Sequence, residues 1–343
     1  ERILAQIGHE RTDFVPYGGF GLDDELELRI TGKLGGQRWL AEVHGHDHIH
    51  NINHANAVFL DDWAAVKVGA EHVDRFGTTW RVDHRAYHIT RPALIEASLS
   101  GYRFPVAPQF LPDGWRWAAQ GEIERERDRF LILCLNGIFE GSWGIRGFES
   151  LLEDFLTSPE FAEELLEGMT NLLLGLLDTY LELPIDGILM YDDWGGQRGS
   201  LFGRERWVRF LKPRVQRVYG RIHAAGKIAI AHCCGNITEL IPDLIDAGLD
   251  VLESVQPEAM DPYALKREFG KDLTFWGGLG TQGLIPFGAP DQIRQEVRRL
   301  CAEMGEGGGY ILAPAKALQP ETPTANALAV IEAFLEEAGV QLS

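Results

Sequence analysis

The stretch Ile228-Ala-Ile-Ala-His232-Cys233-Cys234-Gly235-Asn236 decides how this chain is read. Four small or β-branched apolar residues run straight into a histidine, two cysteines and a glycine. A helical pattern starts at once in Ile237-Thr-Glu-Leu-Ile-Pro-Asp-Leu-Ile. A buried strand that delivers polar side chains to its C-terminal end has this form, and in parallel α/β proteins that end is where ligands bind. Side chains alternate along a strand, so His232 and Cys234 fall on one side. Imidazole and thiolate together make a zinc pair. The competing reading is a histidine and a cysteine packed in the core, since free cysteine is among the most buried residue types.

The same rhythm extends in both directions. Arg129-Phe-Leu-Ile-Leu-Cys134-Leu reads as a strand, followed by a long amphipathic helical region over about 149–182. Ile185-Asp-Gly-Ile-Leu-Met-Tyr191 is the next strand, with a helix over about 203–224 that contains Pro213. Beyond the opening stretch come strands at Leu249-Asp-Val-Leu-Glu253, Leu273-Thr-Phe-Trp276 and Gly309-Tyr310-Ile-Leu-Ala-Pro314. Helices over about 261–269, 290–305 and 323–339 follow them. Asp13-Phe-Val-Pro-Tyr17-Gly-Gly-Phe-Gly is a candidate first barrel strand that opens at Tyr17 and the glycines. Repeated strand-then-helix units predict an α/β fold, a (β/α)8 TIM barrel spanning 1–343 as a single domain. A doubly wound sheet would carry G-x-G-x-x-G after its first strand, and none is present.

Between about 25 and 105 the texture changes. Glu25-Leu-Glu-Leu-Arg-Ile and Thr78-Thr-Trp-Arg-Val-Asp-His alternate as half-buried antiparallel strands do. This segment, 25–105, is expected to be a β-containing N-terminal insertion or lid. Within it, His44, His46, His48 and His50 recur every second residue, with His54 beyond. The cluster is either a second metal site or the polar face of an edge strand, loop or substrate mouth.

Composition sets the function classes. The 343 residues are 45% apolar, enough for a large core. With 51 acidic against 32 basic residues the net charge is -19, which opposes binding to nucleic acid or an anionic membrane surface. No apolar run is long enough for a transmembrane helix, and Glu1-Arg-Ile-Leu-Ala-Gln-Ile-Gly lacks a signal-peptide core. A soluble, cytoplasmic protein with a small-molecule substrate is expected. Four cysteines (Cys134, Cys233, Cys234, Cys301) are no disulfide framework for a chain this long.

Every strand placed in the barrel ends in polar or glycine residues: Glu140, Asp192/Asp193 with Gln197, His232/Cys234, Glu253/Gln256, Gly277/Gly278 and Lys316. Barrel enzymes gather their chemistry at this face. His232, Cys234 and Glu253 come from adjacent strands, and three protein ligands with an open fourth position describe catalytic zinc. Glu253 is either that third ligand or a hydrogen-bonding carboxylate. Asp192 and Asp193 face different ways, and one of them is expected to enter the mouth as acid, base or substrate anchor; the competing reading is that one of them caps the following turn. Tyr191, which leads into this pair, Glu140, Gln197 and Gln256 are substrate-binding candidates, and Gly277-Gly278 permits close approach of a ligand. Lys316 either binds a substrate anion or pairs with Glu253. Cys233 should face away from the site.

The segment 186–326 resembles the uroporphyrinogen decarboxylase superfamily, and within it the methyltransferase-like branch that includes corrinoid-linked methyltransferases. Tyr191-Asp-Asp-Trp-Gly-Gly-Gln197, His232-Cys-Cys-Gly235, Gly277-Gly-Leu-Gly-Thr-Gln282, Gly308-Gly-Tyr-Ile-Leu-Ala-Pro314 and Thr322-Pro-Thr-Ala-Asn326 carry the likeness. Asp74-Arg-Phe-Gly-Thr-Thr-Trp80, Tyr102-Arg-Phe-Pro105 and Gly144-Ile-Arg-Gly-Phe-Glu149 match in outline. The Arg-Gln-Ala-Gly-Arg run with which decarboxylases proper bind porphyrinogen carboxylates is missing. In the methyltransferases, and in the similar cobalamin-independent methionine synthases, His-x-Cys holds zinc with a later cysteine. The methionine synthases add a glutamate about twenty residues on. The resemblance thus implies His232, Cys234 and Glu253 as ligands, and it places Lys316 where the later cysteine would stand.

Three functions follow. The first is methyl transfer between a corrinoid, free or on a partner protein, or a small methylated substrate, and a thiol-type acceptor at zinc. Asp193 and Gln197 would then position substrate. The second is a metal-free decarboxylase or lyase that uses Asp192 or Asp193 with Lys316. The third is a non-catalytic corrinoid- or ligand-binding protein. The resemblance also implies a homodimer.

Overall fold

The computed structural model describes residues 1–19, 21–34, 43, 45–52, 67–83 and 87–340. The strands are β1 (Ile49–Asn51), β2 (Glu71–Val73), β3 (Thr79–Val82), β4 (Tyr87–Arg91), β5 (Phe130–Asn136), β6 (Gly187–Tyr191), β7 (Gly195–Gly196), β8 (Gly199–Ser200), β9 (Ile228–His232), β10 (Val251–Val255), β11 (Thr274–Leu279) and β12 (Tyr310–Pro314). Seven of them form one curled parallel sheet in the order β1-β5-β6-β9-β10-β11-β12. The stretch 16–18 spans the gap between its edges. Gly18 N donates to Leu312 O (3.2 Å), Leu312 N to Pro16 O (3.0 Å), and His48 N to Tyr17 O (3.2 Å). The Trp276 indole N–H adds a bond to Gly18 O at 3.0 Å. The result is a distorted (β/α)8 barrel, closed by single bonds where the eighth strand would be.

Parallel strands covered on both faces read as continuous apolar runs, which is how β5, β6, β9 and β12 appear in the sequence. Their side chains sort by the strand period of two. Phe130, Ile132, Cys134, Leu189, Ile230, Val251, Trp276, Ile311 and Ala313 fill the barrel interior with Ile49. The alternate residues Leu131, Leu133, Leu135, Ile188, Met190, Ala229, Leu252 and Phe275 pack outward against the helices. Helix Arg2–Ile7 closes the bottom by pressing Ile3 and Ile7 onto the interior cluster.

Several expectations for the first hundred residues are corrected. Glu25-Leu-Glu-Leu-Arg-Ile is not a strand but part of helix Asp24–Leu34. Leu26 and Ile30, four apart, are buried, while Leu28 between them is exposed. Asp23 Oδ1 accepts from Glu25 N at 3.0 Å, and Asp24, Glu25 and Glu27 crowd the first turn, where the helix dipole favours anions. β3 falls where alternation predicts, in an antiparallel sheet β2-β3-β4 outside the barrel. The segment 25–105 is nevertheless more than an insertion, because β1 is a barrel strand paired in parallel with β5.

The histidine cluster meets β1 at its N-terminal end, away from the strand ends that carry His232. His48 Nδ1 lies 3.1 Å from Tyr17 O and His50 Nε2 2.8 Å from Glu122 Oε1. His44 and His54 lie outside the described residues. The helical region 149–182 is two helices, Phe148–Thr157 and Pro159–Tyr180, parted at Ser158 because the residue before proline avoids the α region. Ahead of Pro213, Trp207–Leu211 widens to a π turn, where the missing proline N–H breaks the regular ladder. No helix among the described residues is long and apolar enough to cross a membrane.

Candidate metal centre

Register brings the site together. Tyr191 on β6 pairs with His232 on β9, His232 with Glu253 on β10, and Glu253 with Trp276 on β11. The four residues therefore lie at one level, and alternation turns all four side chains inward. Tyr191 and His232 rings lie 4.8 Å apart. His232 Nδ1 is hydrogen-bonded to Glu253 Oε2. On the other edge of the ring, Nε2 faces Cys234 Sγ at 3.3 Å and Asp193 Oδ1 at 3.9 Å. Asp193, His232 and Cys234 each present one donor atom, all within 4.8 Å of one another, and they form the one such group among the described residues.

The loops that hold these groups depend on close backbone approach. Asp193 Oδ1 accepts from Cys234 N at 2.6 Å, which ties the end of β6 to the end of β9. Asn236 N donates to Gly196 O at 2.7 Å and sets hairpin β7-β8 across the same corner. Gly235, at φ +82°, has no room for a side chain, since a Cβ would stand 2.7 Å from Gly195 and Gly196 backbone atoms. Cys233 faces away: it is fully buried and its Sγ accepts from Trp194 N at 3.2 Å.

The two consecutive aspartates divide as a strand end requires. Asp192 turns outward, is 2% exposed, and accepts from the backbone N–H groups of Phe139 (3.1 Å) and Glu140 (2.8 Å). It thereby caps helix Ile138–Arg146, the helix after β5 and not the turn after β6. Burial pushes its carboxyl up to about 7 against those two amides. Gly137 makes this possible, because a Cβ there would lie 2.1 Å from Asp192 Cβ and Cγ. Gly137→Ala is expected to cost about 1–3 kcal/mol by overpacking a pinned side chain. A urea midpoint equal to wild type would refute that.

Charge in the mouth is unevenly compensated. Burial lowers the pKa of His232, but Glu253 and Cys234 outweigh it and hold it well above the ordinary value. Burial, then Asp192 and Asp193, push Glu140 up to about 8. Folded protein thus retains a proton on Glu140 that the unfolded chain has released. Its contribution to stability is complete below about pH 4.5 and declines as pH rises to about 8. Glu140→Gln is expected to flatten that part of a Tm-against-pH profile, and an unchanged slope would contradict the burial of this acid.

The other sequence candidates separate. Glu253 is engaged on the Nδ1 edge of His232 and is not among the three converging donors. Gln256 is buried, with Oε1 accepting from Gly235 N at 3.3 Å, so it braces the loop after β9. Gly277 and Gly278 have φ +120° and +94°; a Cβ on the first would meet Val255 N at 2.8 Å. Tyr310 OH donates to Gly277 O at 2.7 Å, so packing already explains both glycines. Gln197 sits exposed at the tip of hairpin β7-β8. Lys316 is exposed beyond β12 and forms no ion pair with Glu253. What sequence reasoning missed is Asp193 as a neighbour of both His232 and Cys234. The adjacent acidic pair at a strand end was the only signal for it.

The uroporphyrinogen decarboxylase (URO-D) family model matches residues 138–336. A methylcobamide:CoM methyltransferase, MtaA, of Methanosarcina barkeri is 23% identical over 54% of this chain and 52% of its own length. A methylated-thiol–coenzyme M methyltransferase of Methanosarcina mazei is 23% identical over 63% of this chain and 57% of its own. A uroporphyrinogen decarboxylase of Thermus thermophilus is 29% identical over 51% and 48%. The chain thus spans about half the length of the curated relatives it matches. A solved structure, a methyltransferase from Methanosarcina mazei, superposes with a TM-score of 0.72 at 21% identity, covering 98% of this chain and 97% of that one. That likeness carries the fold. With more than half of its residues matched by the family model, the chain belongs to the uroporphyrinogen decarboxylase family, as a methyltransferase-like member of it.

Proposed function

We propose that this protein is a methyltransferase that moves a methyl group between a corrinoid, or a small methylated substrate, and a thiol-type acceptor at a zinc site built on His232 and Cys234. The observation that carries the reading is the approach of His232 Nε2 and Cys234 Sγ at the barrel mouth, 3.3 Å apart. Their chemistry fits the ion: nitrogen and sulfur are zinc's preferred donors. Nδ1 is already occupied by Glu253, which orients the ring as outer-shell carboxylates do. Zinc bound there would supply the Lewis acidity that keeps an acceptor thiol as its nucleophilic thiolate. Tyr191 covers one face of His232, and the packed interior beneath (Cys134, Leu189, Ile230) keeps water away from the inner edge of the site.

Protein expressed with added zinc is expected to carry about one zinc per chain. It should convert methylcobalamin and a thiol to thioether and cob(I)alamin, followed by the loss of the methylcobalamin spectrum. Wild-type protein without zinc would remove the thiol-activation reading. Zinc and tight corrinoid binding without turnover would mark a binding protein instead. A corrinoid protein as donor, a homodimer and a cytoplasmic setting belong to the same proposal.

A second reading, a metal-free decarboxylase or lyase, draws support from Glu140. A half-buried carboxyl held up to about 8 keeps a proton to deliver at neutral pH. Lys316, the expected substrate anchor, is exposed and makes no ion pair with Glu253, which weakens this reading. Carbon dioxide release that survives chelation would decide for this reading.

A further inference from the structure

Resting on the zinc reading above, we infer that Asp193 is the third metal ligand of this centre, and that Glu253 is a positioning residue acting through His232. The two nitrogens of an imidazole lie on opposite edges of the ring. Glu253 is bonded to Nδ1, so its carboxylate is spent on the edge that faces away from Cys234. Asp193 lies on the Nε2 edge, 3.9 Å from that nitrogen, and among the described residues it alone joins His232 and Cys234 in one converging set. Its placement is built and not incidental. Asp192 N donates to His232 O at 3.0 Å, which locks the end of β6 alongside β9. Asp192 then turns outward to its two amides, and the alternation sends Asp193 inward.

Backbone bonding trims Asp193 to the task. Oδ1 accepts from Cys234 N at 2.6 Å, which ties the carboxylate to this corner. Charge favours the assignment too. One thiolate and one carboxylate neutralise a divalent cation, whereas His232 and Cys234 alone would leave a net positive centre against the barrel's apolar interior. Lys316 stands where the resemblance expects a later cysteine, and a lysine ammonium offers no lone pair to a metal ion. Asp193, arriving from the strand on the other side of β9, supplies the missing anion.

The test counts ligands directly. X-ray absorption at the zinc edge separates sulfur at about 2.3 Å from nitrogen and oxygen at about 2.0–2.2 Å. Zinc-loaded wild type should show a single sulfur. Asp193→Cys should raise the count to two and, with cobalt(II) in place of zinc, intensify the thiolate-to-metal charge-transfer band. Glu253→Cys should leave the count at one. Chelator competition adds a second measure, useful if either cysteine variant fails to fold. Asp193→Ala should weaken zinc by more than about 100-fold, and Glu253→Gln by about 10–100-fold with an unchanged cobalt spectrum. The assignment is overturned if Glu253→Cys gains the sulfur, or if Asp193→Ala binds zinc as tightly as wild type. Wild type that binds no metal at all defeats the zinc reading itself, a different and separately visible failure.

Discussion

Cys234→Ala is expected to abolish stoichiometric zinc and to lower methyl transfer to a thiol by at least about 100-fold. Removing an outer-shell partner of a metal ligand already costs about 10–100-fold, and here a donor atom itself is lost. A loss of about 100-fold corresponds to about 2.7 kcal/mol of transition-state stabilisation. The geometry leaves no replacement. The neighbouring thiol of Cys233 is fully buried on the opposite face of the strand end, held by Trp194 N at 3.2 Å. Cys134 lies inside the barrel, 3.8 Å from the Tyr191 hydroxyl, and burial pushes its thiol up to about 12. Cys233→Ala is the matched comparison: it should lower thermal stability while retaining zinc. Equal zinc content in Cys234→Ala and wild type would refute a thiolate ligand at this position.

Arg146→Ala should have the largest effect on stability, about 3–5 kcal/mol, because it leaves Asp154 buried without its partner. The pair is nearly sealed, with side chains 11% and 4% exposed and Arg146 Nε 2.7 Å from Asp154 Oδ2. Arg146 also donates to Leu94 O at 3.2 Å, tying helix Ile138–Arg146 to the segment after β4. That helix carries Glu140 and rests its first turn on Asp192. The damage should therefore reach the barrel mouth as well as the global midpoint. Replacing both partners with apolar residues, Arg146→Met with Asp154→Leu, should recover most of the loss, since the cost lies in the uncompensated charge and not in the absence of the pair. Chemical denaturation of the two variants measures this. A single variant within about 1 kcal/mol of wild type would mean that water reaches Asp154.

The fold was legible because barrel strands announce themselves. Each is a short apolar run bounded by turn residues, and β5, β6, β9, β10, β11 and β12 all fall where such runs stand. The exceptions have local causes. Leu26 and Ile30 satisfy a strand period of two and a helix spacing of four equally well, and the acidic first turn with Asp23 ahead of it settles the helix. β1 was hidden because only three residues long, with His48 and His50 around Ile49, it offers no apolar run. Its partners are supplied from far along the chain, by Phe130, Leu131 and Ile132.

At the site, the boundary between the two kinds of information is sharper. Sequence alone determined that His232 and Cys234 share a side of a strand end at the mouth of a barrel, that Cys233 does not, and that Asp192 and Asp193 cannot both face inward. These are consequences of alternation within one strand, and alternation is written in consecutive residues. Only the tertiary structure decided which aspartate enters, which edge of His232 Glu253 occupies, and that Lys316 is exposed and makes no ion pair with Glu253. Those depend on the register between neighbouring strands and on the bonds Asp192–Phe139, Asp192–Glu140 and Asp193–Cys234. Register and loop contacts join residues dozens of positions apart. A period of two says which face a side chain takes, but it carries no distance across the sheet.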